Sequence, residues 1–401
     1  MSSLWYPPPP PPTNLGRYRT LSPLAGVRVS PLQLGAMSIG DKWQDYGMGS
    51  MDKESSFKLL DAYFDAGGNF IDTANNYQDE SSEAFIGEWA EKRGIREQLV
   101  IATKVTSLTL LSLSWTLRPG QYTSGFKRGQ DHITHKITYA GNHAKSLRVS
   151  VDASLKKLRT SYIDILYVHW WDWGTSVEEV IDSLNTLVLQ GKVLYLGISD
   201  SPAWIVSKAN QYARDHGKTP FSIYQGNWSI LERSFERDII PMARSEGLAL
   251  APWGVLGGGK IRTNAEEARR KETGEKGRTL LNPNWERSPE EKKICDVLED
   301  IAKEVNSDSI TAVAIAYHLH KVPYVFPIIG GRKVEQLQQN IAALDISLTP
   351  EQVQRIENAV PFNIGFPSNM IGDGSSVSFF LSTTGNVDIV PLTQPITPAK
   401  N

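Results

Sequence analysis

Apolar positions along the chain alternate between two spacings. Short continuous apolar runs, typical of buried parallel strands, occur at residues 69–71, 99–103, 163–168, 193–198, 223–225, 248–251 and 324–328. Apolar residues at helical spacing occur at residues 55–64, 80–92, 144–158, 177–189, 202–216, 235–245, 310–320 and 334–343. Because the two kinds of segment alternate, the pattern predicts a parallel sheet with helices outside it.

The number of strand–helix units favours a (β/α)8 TIM barrel over a doubly wound sheet. No Gly-x-Gly-x-x-Gly motif follows an early strand, as it would in a dinucleotide-binding doubly wound fold. Residues 18–34 contain short strand patterns broken by Pro23, Gly26 and Pro31, which predict a hairpin ahead of the barrel. Long inserts are expected after strands 3 and 7, at residues 107–143 and 257–306, the second with a charged helical stretch at 265–276.

Three regions are predicted. Residues 1–17 form a proline-rich tail, expected to be disordered, in which the run from Pro7 to Pro12 favours an extended conformation and could alternatively bind a proline-recognition domain. The barrel is expected to span residues 18–360. Residues 361–401 are rich in Gly, Ser, Thr and Pro and are expected to pack on the barrel or to trail from it.

Charge and cysteine content narrow the classes of function. A formal net charge of -2 argues against a surface for nucleic acid, which requires a basic face. No apolar run is long enough to span a bilayer, and no secretory signal opens the chain. Cys295 is the single cysteine, so an internal disulfide is impossible. These features predict a cytoplasmic protein that binds neither nucleic acid nor a membrane. Separately, we expect it to be monomeric or weakly self-associating and to act on a small molecule.

Four ionisable residues are expected at one end of the barrel. Asp72, Lys104 and His169 directly follow predicted strands, and Tyr77 lies five positions after Asp72. The carboxyl ends of barrel strands meet at one mouth, where active sites lie.

Together the four side chains suit carbonyl reduction, which needs a hydride at carbon and a proton at oxygen. Tyrosine is a weak acid with an ordinary pKa of roughly 10, and a neighbouring ammonium such as Lys104 makes its proton easier to lose. Asp72 would hold Lys104 charged, and His169 would hydrogen-bond the substrate oxygen. Each residue alone is more often structural than catalytic, so the argument rests on all four occurring together.

Separate motifs carry a resemblance to the aldo-keto reductase superfamily. The segments FIDTANNY (70–77), IATK (101–104) and DILYVH (164–169) resemble its signatures, and WWD (170–172) and APWGVLGGGK (251–260) resemble the fungal aryl-alcohol dehydrogenase and norsolorinic acid reductase group. The resemblance runs from about Tyr18 to about Ile389. It implies a catalytic tetrad of Asp72, Tyr77, Lys104 and His169. It also implies NADPH-dependent reduction of an aryl aldehyde or a polycyclic secondary-metabolite ketone.

A candidate cofactor site opens the last helix. The segment IIGGRK (328–333) puts two cations at a helix N-terminus, a combination that suits the 2′-phosphate of NADP; the alternative is a solvated cationic helix start. The resemblance assigns this phosphate to Arg332, Lys333, Gln336 and Asn340. It assigns the nicotinamide carboxamide to Ser199 and Gln225, and the pyrophosphate loop to Gly257 and Lys260.

Other positions leave alternatives open. Leu250 and Trp253 are both candidates to cover the nicotinamide ring, where many family members place a tyrosine. Trp43 and Trp170 are expected to contact an apolar or aromatic substrate, whereas Trp171 could equally be a packing residue. His132 and His135 have metal-like spacing but no third ligand nearby, so they are interpreted as loop residues and no metal is expected.

The apolar part of the first insert, residues 108–117, has three interpretations. It could form a lid, provide a membrane- or partner-contacting patch, or result from a retained intron in the gene model, which is the favoured hypothesis. Two functional alternatives also stay open. The enzyme could run mainly as an alcohol dehydrogenase, or the barrel could be an NADP-binding regulatory subunit, or one disabled by the insert, that acts through a partner.

Overall fold

The computed structural model describes residues 8–44, 48–105, 127, 130–274 and 285–398. Eight parallel strands form one sheet, in the order β10-β3-β4-β5-β6-β7-β8-β9. The strands are β3 (Gln33–Gly35), β4 (Phe70–Asp72), β5 (Val100–Val105), β6 (Ile163–Val168), β7 (Val193–Ser199), β8 (Phe221–Asn227), β9 (Ala249–Trp253) and β10 (Ile328–Ile329). This order confirms the predicted (β/α)8 barrel.

The barrel closes through a single bridge between its first and last edges. Leu250 pairs in parallel with Val325, and the Phe326 amide donates to the Leu250 carbonyl at 2.8 Å. The expected last strand at 324–328 is therefore wrong in extent. Its first residues make only this bridge, and regular pairing with β3 is confined to Ile328 and Ile329.

Helices follow the strands on the outside of the barrel. They are α1 (Lys53–Asp65), α2 (Ser81–Arg93), α3 (Ala144–Leu158), α4 (Val177–Leu189), α5 (Ala203–Asp215), α6 (Ile239–Glu246), α7 (Asn264–Thr273), α8 (Pro289–Glu304), α9 (Ile310–Lys321), α10 (Val334–Ile341) and α11 (Pro350–Ala359), with the short α12 (Ser368–Ile371) and α13 (Phe379–Ser382) in the C-terminal extension. The sequence analysis missed α8 and α11. Both carry a signal that was available, a capping box with proline at the first turn.

The predicted N-terminal hairpin forms, but the last part of the region expected to contain it, Gln33 and Leu34, belongs to a strand of the barrel. Strands β1 (Arg19–Ser22) and β2 (Ala25–Val29) pair antiparallel, whereas β3 is the first strand of the barrel. The hairpin residues Leu21, Ala25 and Val29 share one buried cluster with the barrel interior. The hairpin thus closes the end of the barrel opposite to the carboxyl ends of the strands.

The strands separate two apolar layers because successive side chains point to opposite faces. Along β9, Ala249 and Ala251 belong to the interior cluster, whereas Leu250 belongs to the larger cluster between sheet and helices. Small and large interior residues fill the lower barrel, so the space for chemistry lies at the carboxyl ends of the strands.

The two ends of the chain differ in how far they pack. Leu15 is fully buried and Thr13 donates to the Ala66 carbonyl at 2.8 Å, so packing begins before residue 18. The start of the extension also packs, since the Phe362 ring lies under the guanidinium groups of Arg233 and Arg237. Residues 108–117 and the predicted helix end at 276 lie outside the described residues. Among the described residues, no helix is long and apolar enough to cross a membrane.

Close contact between α2 and α3 fixes the side of the barrel next to β4 and β5. A β-carbon on Gly87 would lie 2.3 Å from the Lys157 carbonyl oxygen and 2.6 Å from the Leu158 carbonyl carbon. Backbone atoms cannot move aside as a flexible side chain can, so only glycine allows the two helices this approach.

We predict that Gly87→Ala destabilises the protein by about 1–3 kcal/mol, because it overpacks this contact. Chemical denaturation of the purified protein measures the change. Gly26→Ala is the matched control, since nothing lies within 4 Å of a β-carbon at Gly26. An unfolding midpoint for Gly87→Ala equal to that of the control would contradict the close packing of α2 on α3.

Candidate active site

A buried ion pair occupies the centre of the mouth. Lys104 is fully buried, and its ammonium lies 2.7 Å from both carboxylate oxygens of Asp72 and 2.7 Å from the Thr73 carbonyl oxygen. Asp72 is the last residue of β4, and Lys104 lies inside β5 rather than after it, so the expected strand end at residue 103 was too early. The pairing explains how a charged residue can belong to a buried strand.

The carboxylate keeps the lysine charged despite its burial. Burial alone would lower the pKa of Lys104, but the charge of Asp72, aided by Tyr77 and hydrogen bonds to both, raises that pKa above its ordinary value. The ammonium is therefore protonated throughout the neutral range. The two carboxylate oxygens and the Thr73 carbonyl oxygen, each 2.7 Å from the ammonium, hold it in a fixed position.

Gln225 reaches the same carboxylate from the far side of the barrel. Its amide nitrogen, at the carboxyl end of β8, donates to Asp72 Oδ1 at 2.8 Å. Ser199 is fully buried at the end of β7, in register with Gln225. The two residues assigned to the carboxamide thus lie together, and one of them also supports the ion pair.

Tyr77 lies over the ion pair. The Lys104 ammonium is 5.1 Å from the centre of the Tyr77 ring, and the rings of His169 and Trp43 each approach that ring edge-on, with centroids 6.1 Å away. The structure therefore brings the four predicted tetrad residues into one cluster. Burial raises the pKa of Tyr77, and the Lys104 charge opposes that rise, so the phenol keeps its proton at neutral pH.

His169 is neutral in this setting. Burial, together with the charge of Lys104, lowers the pKa of His169 well below its ordinary value. Its Nδ1 atom and the Nε1 atom of Trp170, whose ring stacks on the imidazole at 4.1 Å, are buried without a hydrogen-bond partner among the described residues. Buried polar atoms are rarely left unpaired, so these two mark a place for a ligand.

The two candidates to cover the nicotinamide ring, Leu250 and Trp253, lie in different places at the end of β9. Leu250 points away from the barrel, into the layer beneath the helices. Trp253 lies at the carboxyl end of β9 and donates its indole N–H to the Asp200 carboxylate at 3.2 Å. Asp200 adopts a left-handed backbone conformation with φ of 43° and also accepts from the Ser199 hydroxyl. Of the two, only Trp253 is placed at the mouth.

The start of α10 fits a phosphate. Arg332 and Lys333 are exposed, and Lys333 caps the helix without a side-chain hydrogen bond, so the first amides of α10 have no side-chain acceptor. Gln336 accepts from the Arg332 amide at 2.9 Å, and Asn340 is buried near the Gly330 carbonyl. Free helix amides beside two cations suit the phosphate of a dinucleotide, so these residues fit the expected cofactor.

The two residues expected to lie at the pyrophosphate, Gly257 and Lys260, differ in where the structure places them. Gly257, Gly258 and Gly259 have positive φ values, and a β-carbon on Gly258 or Gly259 would meet open space, which leaves the backbone accessible. Lys260 instead points into the second insert, where its ammonium bonds the Glu286 carbonyl and pairs with Glu291 at 3.2 Å.

The predicted substrate residues also differ in placement. Trp43 and Trp170 are half-buried around Tyr77 and His169, whereas Trp171 is buried in the cluster between sheet and helices, as its packing alternative expects. His132 and His135 are exposed, and no metal-binding cluster occurs among the described residues.

The sequence analysis missed the network that supports the loop carrying Tyr77. The Lys157 ammonium donates to the Asn75 carbonyl at 2.8 Å and pairs with Glu83 at 2.8 Å, and Glu83 in turn accepts from Thr103, next to Lys104, at 2.6 Å. The available signal was the position of Glu83 on the apolar face of α2, three and seven residues before Ile86 and Ala90.

Comparison with known proteins agrees with this geometry. The family model "Aldo/keto reductase family" matches residues 31–361. The chain is 57% identical over 401 residues to an aryl-alcohol dehydrogenase [NADP(+)] of Phanerodontia chrysosporium, covering 99% of this chain and 100% of that protein. It is 54% identical to a putative aryl-alcohol dehydrogenase of Saccharomyces cerevisiae (95% and 96% covered). It is 48% identical to norsolorinic acid reductase A of Aspergillus parasiticus (96% and 94% covered).

The geometry of the ion pair predicts a strong, non-additive effect on stability. Asp72→Asn should cost about 3–5 kcal/mol, because it leaves a buried ammonium without its counter-charge. In that variant burial dominates and the pKa of Lys104 falls. The double variant Asp72→Asn/Lys104→Met should be more stable than Asp72→Asn alone, since no buried charge remains. Denaturant unfolding without cofactor measures both, and strictly additive losses would argue against the pair.

Proposed function

The chain belongs to the aldo/keto reductase family, and we propose that it reduces aryl aldehydes and related aryl ketones to alcohols with Tyr77 as the proton donor. The chain is an NADP-dependent oxidoreductase that acts on carbonyl groups. The observation that carries the residue roles is the placement of Tyr77 directly over the Lys104–Asp72 ion pair and beside His169.

Proton transfer is assigned to Tyr77. Its raised pKa keeps the phenol protonated until an acceptor is present. A carbonyl oxygen becomes a strong acceptor only as negative charge develops on it, so the proton moves when it is needed. The Lys104 ammonium then stabilises the tyrosinate, and Asp72 keeps that ammonium charged and directed.

His169 is assigned to orientation of the substrate. As a neutral imidazole it can donate one hydrogen bond, and the low pKa prevents it from acting as a competing acid. A donor fixed beside Tyr77 holds the carbonyl oxygen between the two side chains. Such preorganised donors stabilise the charge that develops on the oxygen.

The cofactor would span the mouth from Trp253 to α10. When bound, it supplies a hydride to the carbonyl carbon. We assign its 2′-phosphate to Arg332 and Lys333, with Gln336 and Asn340 supporting the helix start, and its carboxamide to Ser199 and Gln225. The Gly257–Gly259 turn would lie against the pyrophosphate, and Trp253 would cover the nicotinamide ring.

An aromatic substrate fits the walls of the mouth. Trp43 and Trp170 present indole rings on either side of the Tyr77–His169 pair. Flat rings stack well on such walls. The Phanerodontia relative, 57% identical over 99% of this chain, is an aryl-alcohol dehydrogenase, and the reverse of its reaction consumes an aryl aldehyde. This relationship favours aryl aldehydes over polycyclic ketones as the substrate class.

We predict that Tyr77→Phe lowers kcat for an aryl aldehyde by about 10²–10⁴-fold, because general acid catalysis is lost. NADPH affinity should stay unchanged, since only a hydroxyl over the ion pair is removed. Stopped assays of NADPH oxidation give the rate, and NADPH fluorescence gives the affinity. Tyr212→Phe, which removes a surface hydroxyl bound to Asp182, is the control. Undiminished turnover by Tyr77→Phe would refute the assigned proton donor.

The assignment of the 2′-phosphate makes a separate prediction. Arg332→Ala should weaken NADPH binding about 10-fold or more, because a charge-assisted hydrogen bond is lost, while NADH binding changes less than about twofold. Fluorescence titration with each cofactor measures the two dissociation constants. Arg148→Ala removes an exposed arginine of α3 as the control. Equal weakening for NADPH and NADH would show that Arg332 does not contact the extra phosphate.

A further inference from the structure

The residues that follow Tyr77 have an unusual backbone. Gln78, Asp79 and Glu80 have φ values of 52°, 47° and 81°, so three successive non-glycine residues lie in the left-handed region. Each costs roughly 1–2 kcal/mol relative to the ordinary helical conformation. Strain of this kind persists only where the surrounding structure compensates for it.

The Gln78 side chain provides that compensation. It is fully buried, and its amide nitrogen donates to the carbonyl oxygens of Met37 and Gly49, each at 2.9 Å. Its amide oxygen accepts from the backbone amides of Lys42 at 3.0 Å and Trp43 at 2.9 Å. All four hydrogen bonds that a glutamine amide can make are therefore used, and each goes to the backbone of the segment around Trp43.

The next residue fixes the indole itself. Asp79 is exposed and accepts from Trp43 Nε1 at 3.0 Å, while the Trp43 ring packs edge-on against Tyr77. Trp43 is thus held at its backbone by Gln78, at its indole nitrogen by Asp79, and at its ring by the edge-on contact with Tyr77. All three successive residues, Tyr77, Gln78 and Asp79, therefore contact Trp43.

We propose that Gln78 and Asp79 are positioning residues that fix Trp43 as an aromatic wall beside Tyr77, and that this clamp sets the preference for flat aromatic carbonyl substrates over saturated ones. The inference rests on the proposed function and deepens it. The left-handed turn directs the Gln78 amide under the Trp43 segment while Tyr77, one residue earlier, lies over Lys104. The same short turn therefore places the proton donor and the wall that aligns the substrate with it.

The test compares benzaldehyde with cyclohexanecarbaldehyde, which have the same carbon skeleton but differ in planarity. The measured quantity is the ratio of kcat/KM for the two aldehydes at saturating NADPH, after NADPH affinity has been determined for each variant. In Gln78→Met, which cannot hydrogen-bond, the ratio should fall about 2- to 10-fold, the size of an aromatic ring contact, mainly through a higher KM for benzaldehyde.

Trp43→Leu should lower the ratio by the same factor. The double variant Gln78→Met/Trp43→Leu should lower it no further, because Gln78 acts through Trp43. Gln33→Met is the matched control. It removes another fully buried glutamine amide, which bonds the Phe326 carbonyl at the opposite end of the barrel, and should lower stability without changing the ratio.

Asp79 keeps the proposal testable if Gln78→Met does not fold, since Asp79 is exposed. Asp79→Ala should lower the ratio, and Asp79→Asn, whose amide oxygen can still accept from the indole, should restore it. Equal losses for both aldehydes in Gln78→Met, or an unchanged ratio in Asp79→Ala, would overturn the clamp while leaving the reductase activity in place. A wild-type enzyme that reduces neither aldehyde would instead refute the proposed function and the clamp with it.

Discussion

The ion pair between Lys104 and Asp72 is the constraint on which the rest of the mouth depends. A lysine that is fully buried in a strand must keep a counter-charge within reach, or lose its proton. That requirement fixes β4 against β5 at their carboxyl ends and draws Gln225 across from β8. Elements that are far apart in sequence are thereby held around one charged group, and Tyr77, the proposed proton donor, lies directly above it.

On the side of α2 and α3, the support for this pair extends outward to the helices. Thr103, Glu83 and Lys157 connect β5 through α2 to α3, and Lys157 then holds the Asn75 carbonyl in the loop that carries Tyr77. The absence of a side chain at Gly87 lets the two helices approach closely enough for this network. Packing far from the mouth therefore controls how accurately the proton donor is held.

The alternation of strands and helices and the four tetrad candidates were predicted because buried strands, and the residues at their carboxyl ends, have a local sequence pattern. The extents of β5 and the last strand were wrong, since the end of a strand depends on pairing and, at Lys104, on a neutralising partner from another strand. The role of Gln78 had no sequence signal at all. Nothing in a single sequence indicates that three successive residues adopt left-handed conformations.

The turn that begins at Tyr77 holds both the proposed proton donor and, through Gln78 and Asp79, the Trp43 wall. This shared turn limits how the substrate class of the enzyme can change. If the wall at Trp43 stood on an independent loop, it could be replaced without cost to the proton donor. Here Trp43 is hydrogen-bonded to Gln78 and Asp79, the two residues directly after Tyr77. A substitution at Trp43 therefore also alters the buried hydrogen bonds that compensate for the backbone strain next to Tyr77. The remaining wall, Trp170, directly follows His169 in the sequence, and its ring lies tilted against the imidazole. Variation in substrate class is therefore easiest at positions that lie outside this turn and outside the pair formed by His169 and Trp170.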